Sequence, residues 1–255
     1  MIDVDVNSNY KVTLYESGDE MPMDLYFLSQ QYALLDAEAG STIQDVLKRF
    51  DRMDAFHRGG KMDELIQERK NLHATFFNII NDIHFPSLIF GCHIQGINGK
   101  PLDDHSTDRL IKIMKDMGRQ GFKYKSLMEA VEDVKKKIEH ELALMFPEKY
   151  DIKNSKLNYL QQLQRKIIAE ANYVLTEDNK FITELESIMA YFLSLMKPKN
   201  INGSDPTNVI VQSKKAYEKI CALLALSGIP SPGNLPIIKF HVAVDTYESK
   251  RKPKP

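Results

Sequence analysis

The stretch that decides the fold is SLMEAVEDVKKKIEHELALMF, residues 126–146. Its apolar residues recur every three or four positions, a spacing that places them on one face of an α-helix. Charged residues occupy the opposite face, as expected for a helix with one side on a core and the other in water. Pro147 then ends the helix, because proline disfavours the helical conformation in the residue before it. The predicted buried stripe contains Leu127, Val131, Val134, Ile138, Leu142 and Met145.

Similar periodic segments cover most of the remaining chain, with polar or glycine-containing breaks between them. They predict further helices at about Leu25–Leu35, from Ser41 to the break at residues 57–60, at Met62–Ile83, from a cap at Ser106 or Thr107 to Gly118, and at Ser155–Leu175, Thr176–Met196 and Thr207–Leu226. In the second of these helices, Ser41 and Gln44 match a capping box. The buried stripe of that helix is predicted to contain Ile43, Val46, Leu47 and Phe50.

Two segments alternate and are rich in β-forming residues, Tyr10–Tyr15 and Ile237–Val244, so both are predicted to be strands. The apolar segment Phe85–Ile94 is compatible with a helix or a buried strand. Together the segments predict a mainly α protein, made of helical bundles with a few short peripheral β-strands. Roughly 55–65% of its residues should be helical, against the usual third.

The segment PEKYDIKN, residues 147–154, is the best candidate for a domain boundary. It predicts an N-terminal helical domain with a leading strand, residues 1–147. Residues 148–255 would then form a helical hairpin followed by a helix, a strand and a basic tail.

Composition indicates a soluble, globular protein without strong attraction to polyanions. The chain carries 34 basic and 35 acidic residues, a formal charge of −1, which gives no long-range pull towards nucleic acid or anionic lipid. Its first five residues are too acidic for a secretory signal, and no apolar run approaches the roughly 20 residues that span a bilayer. Cys92 and Cys221 are predicted to be reduced thiols, so the expected location is the cytoplasm.

Phosphate-binding loops, nucleophile elbows, zinc-protease motifs and calcium-binding loops are all missing from the sequence. Cys92, His93, Asp103, Asp104 and His105 have side chains that could ligate zinc, but their spacing is not that of a known metal site. A loop with an aspartate-rich helix cap explains the three residues 103–105 equally well. We therefore predict no metal and no cofactor.

Two further groups have both a chemical and a simpler interpretation. His140 and Glu141 could do acid–base chemistry if both faced a pocket, but they are predicted to lie on the solvated face of their helix. RGGK, residues 58–61, could hold a phosphate on backbone N–H groups, but a helix–helix turn is the better interpretation.

The C-terminus is the most plausible contact surface in the sequence. The two predicted strands would either meet and pack on the helices or pair with another subunit or a different protein, and we favour intermolecular pairing for at least one of them. The basic tail could bind an acidic partner or nucleic acid. The candidate partner-binding residues are Phe240, Val242, Val244, Lys250, Arg251, Lys252 and Lys254.

One resemblance extends over residues 40–147. NLHATFFNII (71–80), FPSLIFGCHI (85–94) and INGKPLDD (97–104) are followed by a lysine-rich helix that ends in Met145-Phe146-Pro147. This order resembles small helical proteins of the tail and head–tail regions of tailed bacteriophages, including tail-assembly accessory proteins. The resemblance implies a non-enzymatic virion or assembly protein, acting through contacts with copies of itself or with virion neighbours, in the host cytoplasm during assembly or in the virion.

Two alternatives remain open at this point. The first is a cytoplasmic helical enzyme or ligand-binding module that uses His93, Asp104 and His105. The second is a nucleic-acid-associated adaptor that uses the basic tail.

Overall fold

A computed structural model of the chain describes residues 2–7, 10–121, 124–147, 149–150, 153–203 and 205–251. Its strands are β1 (Ile2–Asn7), β2 (Tyr10–Leu14), β3 (Ile94–Ile97) and β4 (Lys100–Pro101). Its helices are α1 (Met23–Glu38), α2 (Ile43–Arg58), α3 (Met62–Ile80), α4 (Phe85–Cys92), α5 (Thr107–Arg119), α6 (Tyr124–Met145), α7 (Lys153–Thr176), α8 (Asn179–Leu195), α9 (Val209–Leu226) and α10 (Ile237–Arg251). The mainly α fold class is thus confirmed, and the helical share of 71% exceeds the predicted range.

The strands form one antiparallel sheet in the order β1-β2-β3-β4. The predicted strand at Tyr10–Tyr15 is confirmed as β2, which lies between β1 and β3. Val12 is opposite Val4 on one side and Ile97 on the other. Because β2 is paired with β1 and β3 within its own chain, this strand is not available for pairing with another subunit.

The second predicted strand, Ile237–Val244, is wrong, because these residues form the first half of α10. β-Branched residues at alternating positions suggested the strand. The residues that pack on the core, however, are Ile237, Phe240, Val244 and Tyr247, which are spaced by three or four as on a helix face. Within α10, residues 237–251, the backbone is helical and is therefore not available for strand addition.

The segment Phe85–Ile94, which left two interpretations open, is helix α4 followed by the first residue of β3. Pro86 is accommodated in the first turn of α4, where its missing N–H costs no hydrogen bond. α4 packs against α1 and α5, and its apolar side chains help to form the first core cluster with the sheet. The buried members of that cluster are Val12, Leu14, Tyr32, Ala39, Phe85, Leu88, Phe90, Cys92, Ile94, Leu110, Ile113, Met117 and Val131.

The stripe predicted for residues 126–146 is confirmed at the four positions Val131, Val134, Ile138 and Leu142, all of which are buried in α6. Each buried side chain of this size contributes about 1.5–3 kcal/mol. Met145, the last residue of α6, is exposed instead. The Leu127 side chain lies outside the part of the stripe that the structure describes.

The second core cluster combines α6 with α1, α9 and α10. Its buried members are Tyr15, Met21, Met23, Val134, Ile138, Leu142, Phe146, Tyr217, Leu224, Ile237 and Phe240. These side chains come from both sides of residue 147, while the division into two domains there stays a prediction.

Helices α7 and α8 form the predicted hairpin, joined by a turn in which Glu177 has a positive φ. Ala169, Ile188 and Phe192 are buried, and Arg165 of α7 contacts Glu184 of α8 at 3.0 Å. In the described ranges, no helix combines the length and the apolar content that crossing a bilayer requires.

Candidate functional surfaces and polar clusters

His93, Asp104 and His105, considered for a metal site and for the alternative enzyme or ligand-binding site, are each bonded to nearby backbone. His93 is fully buried, and its Nδ1 lies 2.8 Å from the Ile89 carbonyl. His105 Nε2 lies 2.9 Å from the carbonyl of Ile94, and Asp104 is exposed and accepts a hydrogen bond from the Ser106 backbone N–H at 2.9 Å. Each polar group thus bonds to local backbone. The N-cap of α5 is Ser106, without a side-chain capping hydrogen bond, so the aspartates do not form the predicted helix cap.

Burial also makes two of these groups chemically inert. It lowers the pKa of His93 to about 4 and raises the pKa of Cys92 to about 12, so the imidazole is neutral and the thiol protonated near pH 7. Asp103 is exposed. In the part of the chain that the structure describes, no group of three or more His, Cys, Asp or Glu side chains is placed to hold a metal ion.

His140 is exposed on α6, in agreement with its predicted solvated position. Glu141 is only partly exposed, because its Oε2 accepts a hydrogen bond from the Gly18 backbone N–H at 2.8 Å. The carboxylate therefore anchors the loop between β2 and α1, and the two neighbours have separate environments.

Residues 58–61 form the turn between α2 and α3, as the simpler interpretation predicted. Gly60 has φ 66°. Its N–H donates to the His57 carbonyl, and the Lys61 N–H donates to the Phe56 carbonyl. This is a Schellman termination, in which those two N–H groups satisfy the end of α2 rather than a phosphate.

The C-terminal candidates are divided by the structure. Phe240 is buried in the second core cluster, Val244 packs against it and Val242 is half exposed, so Phe240 and Val244 have structural roles. Lys250 and Arg251 belong to the last turn of α10, and Lys252 and Lys254 lie outside the described residues.

A buried ionic cluster between α2 and α3 is the main polar feature that sequence reasoning missed. Arg49 and Glu68 are both almost fully inaccessible to solvent, and Arg49 Nη1 lies 2.8 Å from Glu68 Oε1. Arg52 Nη2 contacts the same oxygen at 2.9 Å. Arg49 Nε also donates to the Ala39 carbonyl at 2.9 Å, so the cluster ties α2 and α3 to the end of α1.

Burial raises the pKa of Glu68, while the neighbouring guanidinium groups of Arg52 and Arg49 oppose that rise. Burial lowers the pKa of Arg49, but a guanidinium remains protonated in proteins. Two cations thus face one carboxylate in a site with little water, a geometry in which loss of one partner is costly.

Other polar side chains extend this cluster along α3. Thr75 Oγ1 donates to the Ala39 carbonyl, and Asn78 Nδ2 donates to the Gly40 carbonyl at 2.9 Å. Asn71, also buried, donates to the Lys199 carbonyl at 3.0 Å and so connects α3 to the segment after α8. A sequence signal existed for this network, because polar residues recur on α3 at intervals of three or four.

An open groove of about 510 Å³ lies beside the ionic cluster. Its lining is Asp36, Ala37, Asp45, Lys48, Arg49, Asp51 and Arg52. Burial raises the pKa of Asp36, and the Asp45 carboxylate is occupied as the reciprocal partner of Thr42, the N-cap of α2. Acidic and basic groups balance along the walls, and the buried guanidinium is already bound by Glu68.

The observed cap of α2 is shifted by one residue from the prediction. Thr42 is the N-cap and Asp45 the reciprocal partner, instead of Ser41 and Gln44. Asp45 Oδ2 accepts from the N–H groups of Ser41 and Thr42 at 3.1 and 3.0 Å. An aspartate at this position can satisfy both donors at once, which the neutral Gln44 amide does not.

A second, smaller pocket of about 160 Å³ lies at the start of α4. His84 Nδ1 is 2.8 Å from Ser87 Oγ, and Asp82 is paired with Lys115 at 2.9 Å. Burial lowers the pKa of His84. A histidine next to a serine can activate the serine hydroxyl as a nucleophile, usually with a carboxylate that orients the histidine. The nearby carboxylate of Asp82, however, is engaged by Lys115. The His84–Ser87 contact also spans the first turn of α4, as a helix-capping contact does.

Exposed apolar side chains are concentrated on the two hairpins. On α2 and α3 they are Ile43, Leu47, Phe50, Met62, Ile66, Phe76, Phe77 and Ile80. The predicted burial of Ile43, Leu47 and Phe50 is therefore wrong, because α2 turns Val46, Arg49 and Phe56 inwards. On α7 and α8 the exposed residues are Tyr159, Leu160, Ile167, Ile168, Tyr173, Val174, Leu175, Met189 and Leu195.

Comparison with protein-family models, characterised proteins and solved structures finds no match to this chain.

Proposed function

We propose that this chain is a non-enzymatic structural or assembly protein of a tailed-phage particle, acting through protein–protein contacts. The observation that carries the proposal is the concentration of exposed apolar side chains on the α2–α3 and α7–α8 hairpins. Soluble monomers rarely expose contiguous apolar patches beyond a few hundred Å², and larger ones mark interaction sites. The phage assignment depends on the sequence pattern of residues 40–147, which includes the whole α2–α3 hairpin.

The polar chemistry is consistent with this role. His93, Asp104 and His105, which the alternative enzyme hypothesis would use, are each bound to nearby backbone. The buried ion pair between Arg49 and Glu68 connects α2 to α3, and Arg49 also donates to the Ala39 carbonyl at the end of α1. Rigid helices with exposed apolar faces suit a subunit that docks on neighbours in the host cytoplasm and, where it is retained, in the virion.

The test is the mass of the full-length protein in solution, measured by light scattering across a concentration series, together with its recovery in purified particles and assembly intermediates. We expect a defined oligomer or a particle-bound fraction. A protein that stays monomeric at every concentration and is missing from every particle fraction would contradict the proposal.

The basic tail stays a prediction as a site for an acidic partner or nucleic acid. Removal of residues 249–255 should abolish any salt-dependent retention on DNA, and retention that survives the truncation would refute a role for the tail.

A further inference from the structure

Helix α7 has an apolar stripe that faces away from α8. Leu160, Ile167 and Val174 are seven residues apart, and Ile168 and Leu175 follow the latter two. Their exposed fractions are 57, 59 and 78% for the first three, and 51 and 80% for the other two. Ala169, on the opposite side of the helix, is buried.

The stripe contains no charged residue over four turns. Gln161, Gln164 and Ala171 fill the positions between its apolar members, whereas Arg165, Lys166 and Glu170 lie outside it. Those three charges already have partners in their own hairpin, since Arg165 contacts Glu184 and Lys166 contacts Glu170. A uniformly uncharged strip more than half exposed to water is a surface prepared for another protein surface.

The period of the stripe indicates what that surface is. Leu160, Ile167 and Val174 repeat every seven residues, as one apolar position of a coiled-coil seam does, while Gln164 and Ala171 occupy the second position of that seam. A partner helix with the same repeat can follow it. A second α7 supplies that repeat, and a two-fold axis brings like against like, forming a closed contact. The stripe itself brings no charged side chain into such a seam.

We infer that the α7 stripe, defined as Leu160, Ile167, Ile168, Val174 and Leu175, is the contact between two copies of this chain. The inference rests on the proposed function and names the partner for one of its surfaces. The five side chains leave on the order of 500 Å² of apolar surface on each copy, in the range of functional patches. Two copies would bury on the order of 1,000 Å², near the lower limit for specific interfaces, so the dimer should dissociate at micromolar concentration.

The experiment is sedimentation velocity of the full chain from about 1 to 200 µM, which brackets the dissociation expected for an interface of this area. Ile167→Asp places a charge at the centre of the stripe. Ile80→Asp makes the same change on the α2–α3 hairpin, at a side chain that is 81% exposed. Leu226→Asp, on α9 and 86% exposed, is the matched control for charge on an exposed apolar site.

We expect the wild type, Ile80→Asp and Leu226→Asp to dimerise, and Ile167→Asp to remain monomeric with an unchanged melting temperature. If Ile167→Asp dimerises like the wild type, the inference is wrong. Should Ile80→Asp alone lose the oligomer, the α7 contact fails while self-assembly stands. A wild type that is monomeric throughout also overturns the inference, and recovery in particles then decides the proposed function separately.

Cross-linking gives a second readout that does not depend on a charged variant folding. In a Cys221→Ser background, Ile167→Cys should be joined between copies by a short bismaleimide, whereas Leu226→Cys should not. Equal cross-linking at the two positions, or none at residue 167, would contradict the α7 contact.

Discussion

Replacement of Arg49 by methionine should destabilise the protein far more than the same change at the preceding residue of α2, Lys48. Arg49 is 1% exposed and Glu68 is fully buried, with 2.8 Å between their charged atoms. Methionine fills much of the same volume but leaves Glu68 with Arg52 alone. The Ala39 carbonyl also loses one of its donors, although Thr75 still donates to it.

Removal of one partner from a buried ion pair costs about 3–5 kcal/mol, because the other charge is left unpaired in a poorly solvated site. Arg52 offsets part of this loss, so we expect a value of about 3 kcal/mol, equivalent to about 6–12 °C in melting temperature for a chain of this size. Lys48→Met is the control, since Lys48 is 64% exposed and contacts Asp45 at only 3.6 Å. Its cost should be below about 1 kcal/mol.

Urea denaturation followed by circular dichroism measures both variants. The double variant Arg49→Met/Glu68→Met removes the stranded carboxylate and should recover about 1–2 kcal/mol of the loss. If Arg49→Met unfolds within about 0.5 kcal/mol of Lys48→Met, the ionic cluster does not hold α1, α2 and α3 together and the reasoning is refuted.

Three other predictions concern the core, the pH response and the first helix cap. Ile138→Asp buries an unpaired charge, so it should destabilise the protein by several kcal/mol and cause unfolding or aggregation. Lys136 is exposed, so Lys136→Ala should melt like the wild type. Similar melting of both variants would refute the packing of α6. The pKa of His93 is about 4, below the value of about 6.5 in an unfolded chain. Because the unfolded state therefore takes up a proton first, the free energy of unfolding should fall by about 3 kcal/mol as pH falls from 6.5 to 4. A His93→Asn variant should lose stability less steeply over that range, and identical pH profiles would contradict this origin. Thr42→Ala should cost about 1 kcal/mol in urea denaturation, and Ser41→Ala almost nothing, because Thr42 alone caps α2 with its side chain; equal costs would refute that assignment.

Local patterns predicted α6 well, since its stripe and the proline after it are both readable from neighbouring residues. The strand at Tyr10–Tyr15 was also predicted correctly, because its alternating β-forming residues can likewise be read from neighbouring positions. Ile237–Val244 was assigned wrongly because β-branched residues alternate there, while the contacts that select a helix come from distant residues such as Met21 and Tyr217. Non-local packing therefore overrode local propensity.

The faces of α2 were assigned wrongly for a related reason. Its apolar residues suggested one buried stripe, but Arg49 lies on the buried side, where Glu68 neutralises it from 19 positions away. A charged side chain is tolerated inside a protein when an opposite charge is buried beside it, and that pairing is a property of the tertiary structure. The sequence predicted the helices of the two hairpins correctly, but not which apolar residues remain in water.

Hydroxyl-radical footprinting of the α7 stripe tests the central claim most directly, because it reports side-chain accessibility at the proposed contact. We predict that Leu160, Ile167 and Val174 are labelled heavily in dilute monomer and become protected in concentrated protein or in assembled particles, while Leu226 is labelled equally in all samples. Equal labelling of the stripe in monomeric and assembled forms would show that α7 remains in water and would contradict the claim.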